Sequence, residues 1–449
     1  MKRRKSLALL LVGLMTVGML AGCGSKSEDG SKDADAKGSV YYLNFKPEVS
    51  KQWEEIAKEY TKETGVEVKV STAASGQYES TLKSEMAKKN PPTLFQINGP
   101  IGYKSWSAYC MDLKDTDLYK NLSDQSLAIT SEDGVYGIPY VVEGYGIIYN
   151  DEIMQKYFAL ADKAVDLKDA TEIQDFDTLK KVVEDMTKHK ADLGIDGVFS
   201  STSFAAGEDW RWQTHLANVP IYYEYKDNDT NDMDKIEFTY NENFKNIFDL
   251  YLNNSITDPG LISSKTVEDS MAEFALGKTA MVQNGNWGFG QISETDGNTV
   301  KAENVKFLPI YTGMDKDKDQ GLCIGTENFF CVNEKVNDAD KQATIDFVNW
   351  LISSDKGKDY MTNTLGFIAP FSTFSEDEQP TDPLAQEVVK SLNDDSKTPV
   401  TWNFTTFPSQ TFKDNFGASL LDYANGNKEW DKVVSDMVAD WATEKEAVE

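Results

Sequence analysis

The sequence predicts an α/β fold organised as two lobes, on three observations. The chain has 449 residues, more than one ordinary core accommodates. Its apolar content of 40% is enough for a folded globular protein. Its first folded segments alternate strand, helix, strand, helix, strand, which is how a doubly wound sheet reads in sequence.

Taken in order, the N-terminus comes first. Lys2, Arg3, Arg4 and Lys5 precede the apolar run LALLLVGLMTVGMLAG, which ends at Cys23. A basic start, a short apolar stretch and small residues before a cut mark residues 1–22 as a secretory signal. The run is too short for a membrane span and is interrupted by Gly13 and Gly18. Residues 24–39, GSKSEDGSKDADAKGS, hold no large apolar side chain and read as a solvated tether. The folded part therefore begins near Val40.

SVYYLNF (39–45) is an apolar strand. Pro47 suits a first helical turn, and Val49, Trp53, Ile56 and Tyr60 recur at helical spacing until Gly65. VEVKVST alternates as a strand, a helix covers about 78–89, and TLFQI is the next strand after Asn90-Pro91-Pro92. DGVYGIPYVVEGYGIIYND (133–151) reads as a hairpin with DG and YG turns, then an apolar strand. Helices follow near 151–162, 176–190, 208–218, 241–253 and 264–276. Strands are expected at 280–284, 305–310 and 327–333. DADKQATIDFVNWLIS is an amphipathic helix with an Asp N-cap. Helices near 355–363, 382–393, 408–424 and 428–443 complete the chain. KDNDTNDMDK and TGMDKDKDQG are surface loops.

Composition excludes several functions. Asp and Glu number 74 against 45 Lys and Arg, a formal charge of −29, which argues against nucleic acid and against lying flat on anionic lipid. Loss of residues 1–22 would remove four basic and no acidic side chains. Cys110, Cys323 and Cys331 have no metal spacing; a Cys323–Cys331 bridge is an alternative to buried free thiols, the favoured reading. The two histidines, His189 and His215, belong to no catalytic or metal pattern, and no phosphate-binding loop is present. No catalytic residue, metal or cofactor is expected.

Several stretches together carry a resemblance. YTKETGVEVKV, PPTLFQING, DGVYGIPYVVEGYGIIYND, EFALGKTAMVQNGNWGFGQI and ENFFCVNEKVNDADKQATIDFVNWLISSDKGKDYM stand in characteristic order over 40–445. With Leu20-Ala21-Gly22-Cys23, which resembles a lipobox, the chain is similar to the family 1 extracellular solute-binding proteins of ABC importers, the group that includes maltose-binding protein. The resemblance implies a two-lobed periplasmic-binding-protein-like fold with a central ligand cleft and a hinge around 142–145. One lobe would comprise 40–142 plus 327–370, the other 145–322 plus 374–449, with Cys23 lipidated and residues 23–39 as tether. It further implies a monomer on the outer face of the bacterial cytoplasmic membrane, held by lipid alone, that delivers a neutral oligosaccharide to two permease subunits served by a separate ATPase. A receptor of the same fold for another solute such as a polyamine, and a surface glycoside hydrolase, are the rival readings.

Matching segments supply the expected ligand residues. Glu143 stands between two apolar strands, where a carboxylate needs a partner, with Tyr145 two along. Trp287 matches a tryptophan that stacks on sugar, beside Asn286. In a helix over 208–218, Trp210 and Trp212 differ by about 200°. Trp212 shares a stripe with Leu216 and Val219 and reads as core, which leaves Trp210 as the platform, next to Glu208 and Asp209. Asn44, Lys46, Tyr78, Asn98 and Trp402 complete the expected set. Flat rings beside carboxylates and amides suit sugars, whose rings carry one apolar face and an edge of hydroxyls.

Overall fold

The computed structural model describes residues 37–315 and 317–448, so the expected signal, Cys23 and most of the tether lie outside the described residues. Two six-stranded sheets organise the rest. The strands are β1 (Val40–Asn44), β2 (Val68–Thr72), β3 (Leu94–Asn98), β4 (Ile129–Ser131), β5 (Gly134–Pro139) and β6 (Glu143–Asn150), followed by β7 (Gly197–Phe199), β8 (Thr279–Gly285), β9 (Val305–Leu308), β10 (Gln320–Gly325), β11 (Asn328–Val332) and β12 (Thr398–Thr401). The first sheet runs β2-β1-β3-β11-β5-β4, and the second runs β12-β10-β6-β8-β7 with β9 also on β6.

β1, β2 and β3 pair in parallel, as the strand–helix alternation predicts. The helix Ser50–Thr64 links the first two, buries Trp53, Ile56, Ala57 and Tyr60, and ends on Gly65 at φ 71°, where L side chains are strained. β11 returns antiparallel beside β3 from far along the sequence. In the second sheet all eight residues of β6 are buried, because β10, β8 and β9 pair with it and helices cover its faces.

The chain passes between the sheets at 140–142, at 326–327 and again after Gly366. Val142 N–H donates to Ile368 O at 2.8 Å, tying the first passage to the third. Glu143 and Tyr145 are therefore the first and third residues of β6, so the connector expected around 142–145 ends before Glu143. Gly325, the last residue of β10, lies opposite Glu143. A Cβ at Gly325 would stand 2.6 Å from Trp402 Cγ, so only glycine lets the indole seat there.

Other expectations need correction. The DG turn exists at Glu132–Asp133, but both YG dipeptides lie inside strands, and β5 pairs with β4 and β11 and not with β6. The helix Asp338–Ser353 is capped by Asn337, whose side chain accepts from Asp340 N–H, and not by Asp338. Cys323 and Cys331 sit in different sheets, and Cys110, Cys323 and Cys331 are buried free thiols. The expected helix 208–218 is a π-helix, Arg211–Leu216, followed by an α-helix, Ala217–Asp227. Pro220 explains the widened turn. It has no N–H for the carbonyl of Leu216, and its ring crowds that carbonyl.

Trp212 is 3% exposed, stacks on Phe204 with centroids 6.4 Å apart, touches Phe248 and Tyr251, and donates from Nε1 to Ser203 O at 3.1 Å. Its assignment to the core holds. Truncation in Trp212→Ala should cost about 3–5 kcal/mol of stability, read as a lowered denaturant midpoint with an unchanged m-value.

Candidate functional site

β1 ends at Asn44, and the chain then turns so that Lys46 points inward. Asn44 enforces the turn: its Oδ1 accepts from Lys46 N–H at 3.0 Å, and its Nδ2 donates to Lys46 O at 2.7 Å and to Thr72 Oγ1 at 3.1 Å. Lys46 Nζ meets both oxygens of Glu143, at 2.8 and 2.9 Å, and lies 3.5 Å from Glu48. Lys46 is 5% and Glu143 4% exposed. Burial acts to lower the lysine's pKa, but Glu143 and Glu48 outweigh it and hold the ammonium charged. The same ammonium stands 5.5 Å above the Trp287 ring.

Trp287 belongs to a nest of six rings on the second-sheet side. His215 is its centre, with centroids 5.0 Å from Trp210, 5.5 Å from Trp287, 6.0 Å from Trp402 and 5.1 Å from Phe404. Tyr145 stacks beneath His215 at 4.4 Å and 8°, and its hydroxyl donates to His215 O at 2.9 Å. Burial, reinforced by Lys413, Lys46 and Arg211, depresses the pKa of His215 and keeps the imidazole neutral. Trp210 and Trp287 retain partial exposure, and Trp402 is buried with no partner for Nε1. The nest is an apolar floor with tryptophans at its upper surface.

Arg211 anchors this floor. It is 1% exposed and donates to Gln283 O at 3.0 Å, Ser201 O at 3.3 Å, Ser203 Oγ at 2.5 Å and Ser270 Oγ at 2.9 Å. The π-helix beginning at Arg211 is thereby fixed to β8 and to the helix Val267–Ala275, which sets where Trp210 stands.

The structure divides the expected residues in two. Lys46, Glu143, Trp287, Trp210 and Trp402 converge, and Asn98 joins them through Glu327, to whose Oε1 it donates at 3.0 Å. Most of the others have polar atoms engaged elsewhere in the protein. Asn44 shapes the Lys46 turn; Tyr78 accepts from Gln96 N–H at 2.7 Å; Asn286 Oδ1 accepts from Gly144 N–H at 2.9 Å. Glu208 accepts from Val267 N–H at 3.1 Å, at a helix start, and Tyr145 lies one layer down. Asp209 abuts Gly417 and faces Asp414.

Five residues of the site escaped the sequence reading: Glu48, His215, Glu327, Phe404 and Lys413. Glu327 carried a usable signal, a charge directly ahead of the apolar strand NFFCV, the same signal that exposed Glu143. Lys413 had none, being one charge on a helix that carries several. Thr326 Oγ1 and Asn98 Oδ1 are buried atoms without a hydrogen-bond partner, so this region holds open polar valences next to flat apolar rings.

The sequence profile of the family described as bacterial extracellular solute-binding protein matches residues 55–415. A maltooligosaccharide ABC transporter solute-binding lipoprotein of Streptococcus pneumoniae is 25% identical over 305 residues; the alignment spans 64% of this chain and 64% of that relative. A solved structure described as a chitin oligosaccharide binding protein superposes with a TM-score of 0.69 at 17% identity, covering 91% of this chain and 98% of the other. A solute-binding protein in complex with raffinose gives 0.69 at 17% identity, covering 91% and 99%.

Burial raises the Asp209 carboxyl to about 6, with Asp414 and Glu208 adding to the shift. Its folded value lies above the ordinary aspartate value of 3.8, so the stability it contributes is full below about pH 4 and is lost as pH rises through 6. Asp209→Asn should match the parent at pH 4 and exceed it at pH 7, measured as denaturant midpoints at both pH values.

Proposed function

The chain belongs to the bacterial extracellular solute-binding proteins, and from that premise we propose that it captures a neutral oligosaccharide between its two sheets for uptake by an ABC importer. The observation that carries this reading is the pairing of a tryptophan-surfaced floor with a buried ion pair and unsatisfied amide, hydroxyl and indole atoms. A sugar ring lays its C–H face on Trp287 or Trp210, while its hydroxyls accept charge-assisted hydrogen bonds from Lys46 and donate them to Glu143. The similar proteins named for maltooligosaccharide, chitin oligosaccharide and raffinose agree in ligand class.

In this reading the passages at 140–142, 326–327 and after Gly366 act as the hinge between the lobes expected from sequence, and saccharide shifts the equilibrium toward the closed arrangement by its preference for it. Cys23 carries the lipid that holds a monomeric receptor at the outer face of the cytoplasmic membrane, facing two permease subunits that a separate ATPase serves. Two or more acyl chains anchor stably.

A thermal-shift panel of mono- and oligosaccharides with spermidine included tests the ligand class. A neutral oligosaccharide should raise the melting midpoint; a rise with spermidine alone contradicts the proposal. Trp287→Ala should keep the parent's midpoint without ligand, yet lose roughly 2 kcal/mol of saccharide affinity by calorimetry. Cys23→Ser should leave affinity intact and move the protein from the membrane to the soluble fraction. Retention on membranes after high salt would refute the anchor.

A further inference from the structure

The first-sheet and second-sheet halves touch, backbone against backbone, at two places beside the tryptophans. Gly76 lies between β2 and the helix Tyr78–Met86, on the first-sheet side, and Gly207 between β7 and the π-helix Arg211–Leu216, on the second-sheet side. A Cβ at Gly76 would stand 2.7 Å from Gly207 Cα and 2.9 Å from Gly207 O, and one at Gly207 would stand 3.3 Å from Ser75 O. Both glycines hold a left-handed φ, 66° and 79°. The second place is Gly99, directly after Asn98, where a Cβ would stand 2.7 Å from Thr405 Cβ and 3.1 Å from Thr405 O. The helix Gly99–Trp106 packs there against the turn Phe404–Thr406.

The tryptophans show which part of the floor each contact borders. Trp287 touches both Trp210 and Trp402, its centroid 6.2 Å from each, and His215 supports all three. Gly207 is three residues from Trp210, and Thr405 three residues from Trp402, a span the chain covers in at most about 11 Å. One contact therefore belongs to the Trp210 side of the floor and the other to the Trp402 side.

We propose that Gly76–Gly207 and Gly99–Thr405 are end walls that shut the site around a short saccharide, with no more than one sugar ring for each of the three tryptophans. This rests on the saccharide reading of the site and adds the length of the ligand. Backbones in contact leave no passage for a chain of pyranose rings, so a ligand seated on the floor has both of its ends inside. A longer chain has to hold at least one contact apart, and it forfeits the preference for the closed arrangement that strengthens binding. The paired glycines set how far closure goes, because a side chain at either would wedge the halves apart.

The test titrates the mature protein calorimetrically with maltose to maltoheptaose, the raffinose series from three to five rings, and N-acetylchitooligosaccharides from two to six. In the series that binds, affinity should peak at two or three rings and fall about tenfold or more at five and beyond. Gly76→Asn puts a Cβ into the first wall, while asparagine tolerates the left-handed backbone. It should lose about tenfold or more on the preferred length, and its preference for short over long chains should shrink to within threefold. Gly194→Asn is the control, since Gly194 has φ 73° and nothing within 4 Å of a Cβ; it should bind within twofold of the parent. A parent that binds five or more rings as tightly as three, or equal affinities in Gly76→Asn and Gly194→Asn, overturns the end walls and leaves the saccharide reading intact. A parent that binds no saccharide of any length overturns both.

Discussion

Lys46 and Glu143 meet with both charges almost wholly withdrawn from water, and the geometry of the candidate site depends on that contact. Desolvating two ions is expensive, and their attraction recovers it only when the geometry is good. Here both carboxylate oxygens are engaged, and Glu48 adds a second negative charge. The lysine comes from the end of a strand in the first sheet and the glutamate from the start of a strand in the second. One ion pair thus fixes the separation of the sheets at the place where Trp287 faces inward. Asn44 holds the lysine's backbone, and Asn286, by bonding Gly144, holds the strand that presents the glutamate.

Beneath this pair the aromatic floor is held by polar contacts within the protein. Pro220 forces the widened turn, Tyr145 satisfies the carbonyl of His215 inside it, and Arg211 ties its start to three neighbouring segments. The backbone that carries these rings is tied down from several directions and the rings pack on one another, so a saccharide would find its platform already formed and lose less entropy on binding.

Much of this was legible in sequence where one side chain had a single local reason to be where it is. Alternation of strands and helices exposed the parallel core of the first sheet. Glu143 was conspicuous as a carboxylate amid apolar residues, and the phase of Leu216 and Val219 separated Trp212 from Trp210. Features that needed distant partners were hidden. β10 carries a glycine at its second and last positions, and β12, TPVT, contains a proline; both were missed because pairing and not propensity makes them strands. Asn44, Tyr78, Asn286 and Glu208 were rightly noticed as polar residues at strand and helix ends. Sequence could not tell a hydrogen bond to backbone from one to ligand. Lys413 was invisible because its burial comes from residues far away in the chain.

The most direct test is the structure of the complex with the saccharide that binds most tightly. The account requires a sugar ring lying on Trp287 or Trp210, with hydroxyls within hydrogen-bond distance of Lys46 or Glu143. Saccharide bound away from these four residues, with the Lys46–Glu143 contact and the six rings undisturbed, would contradict it.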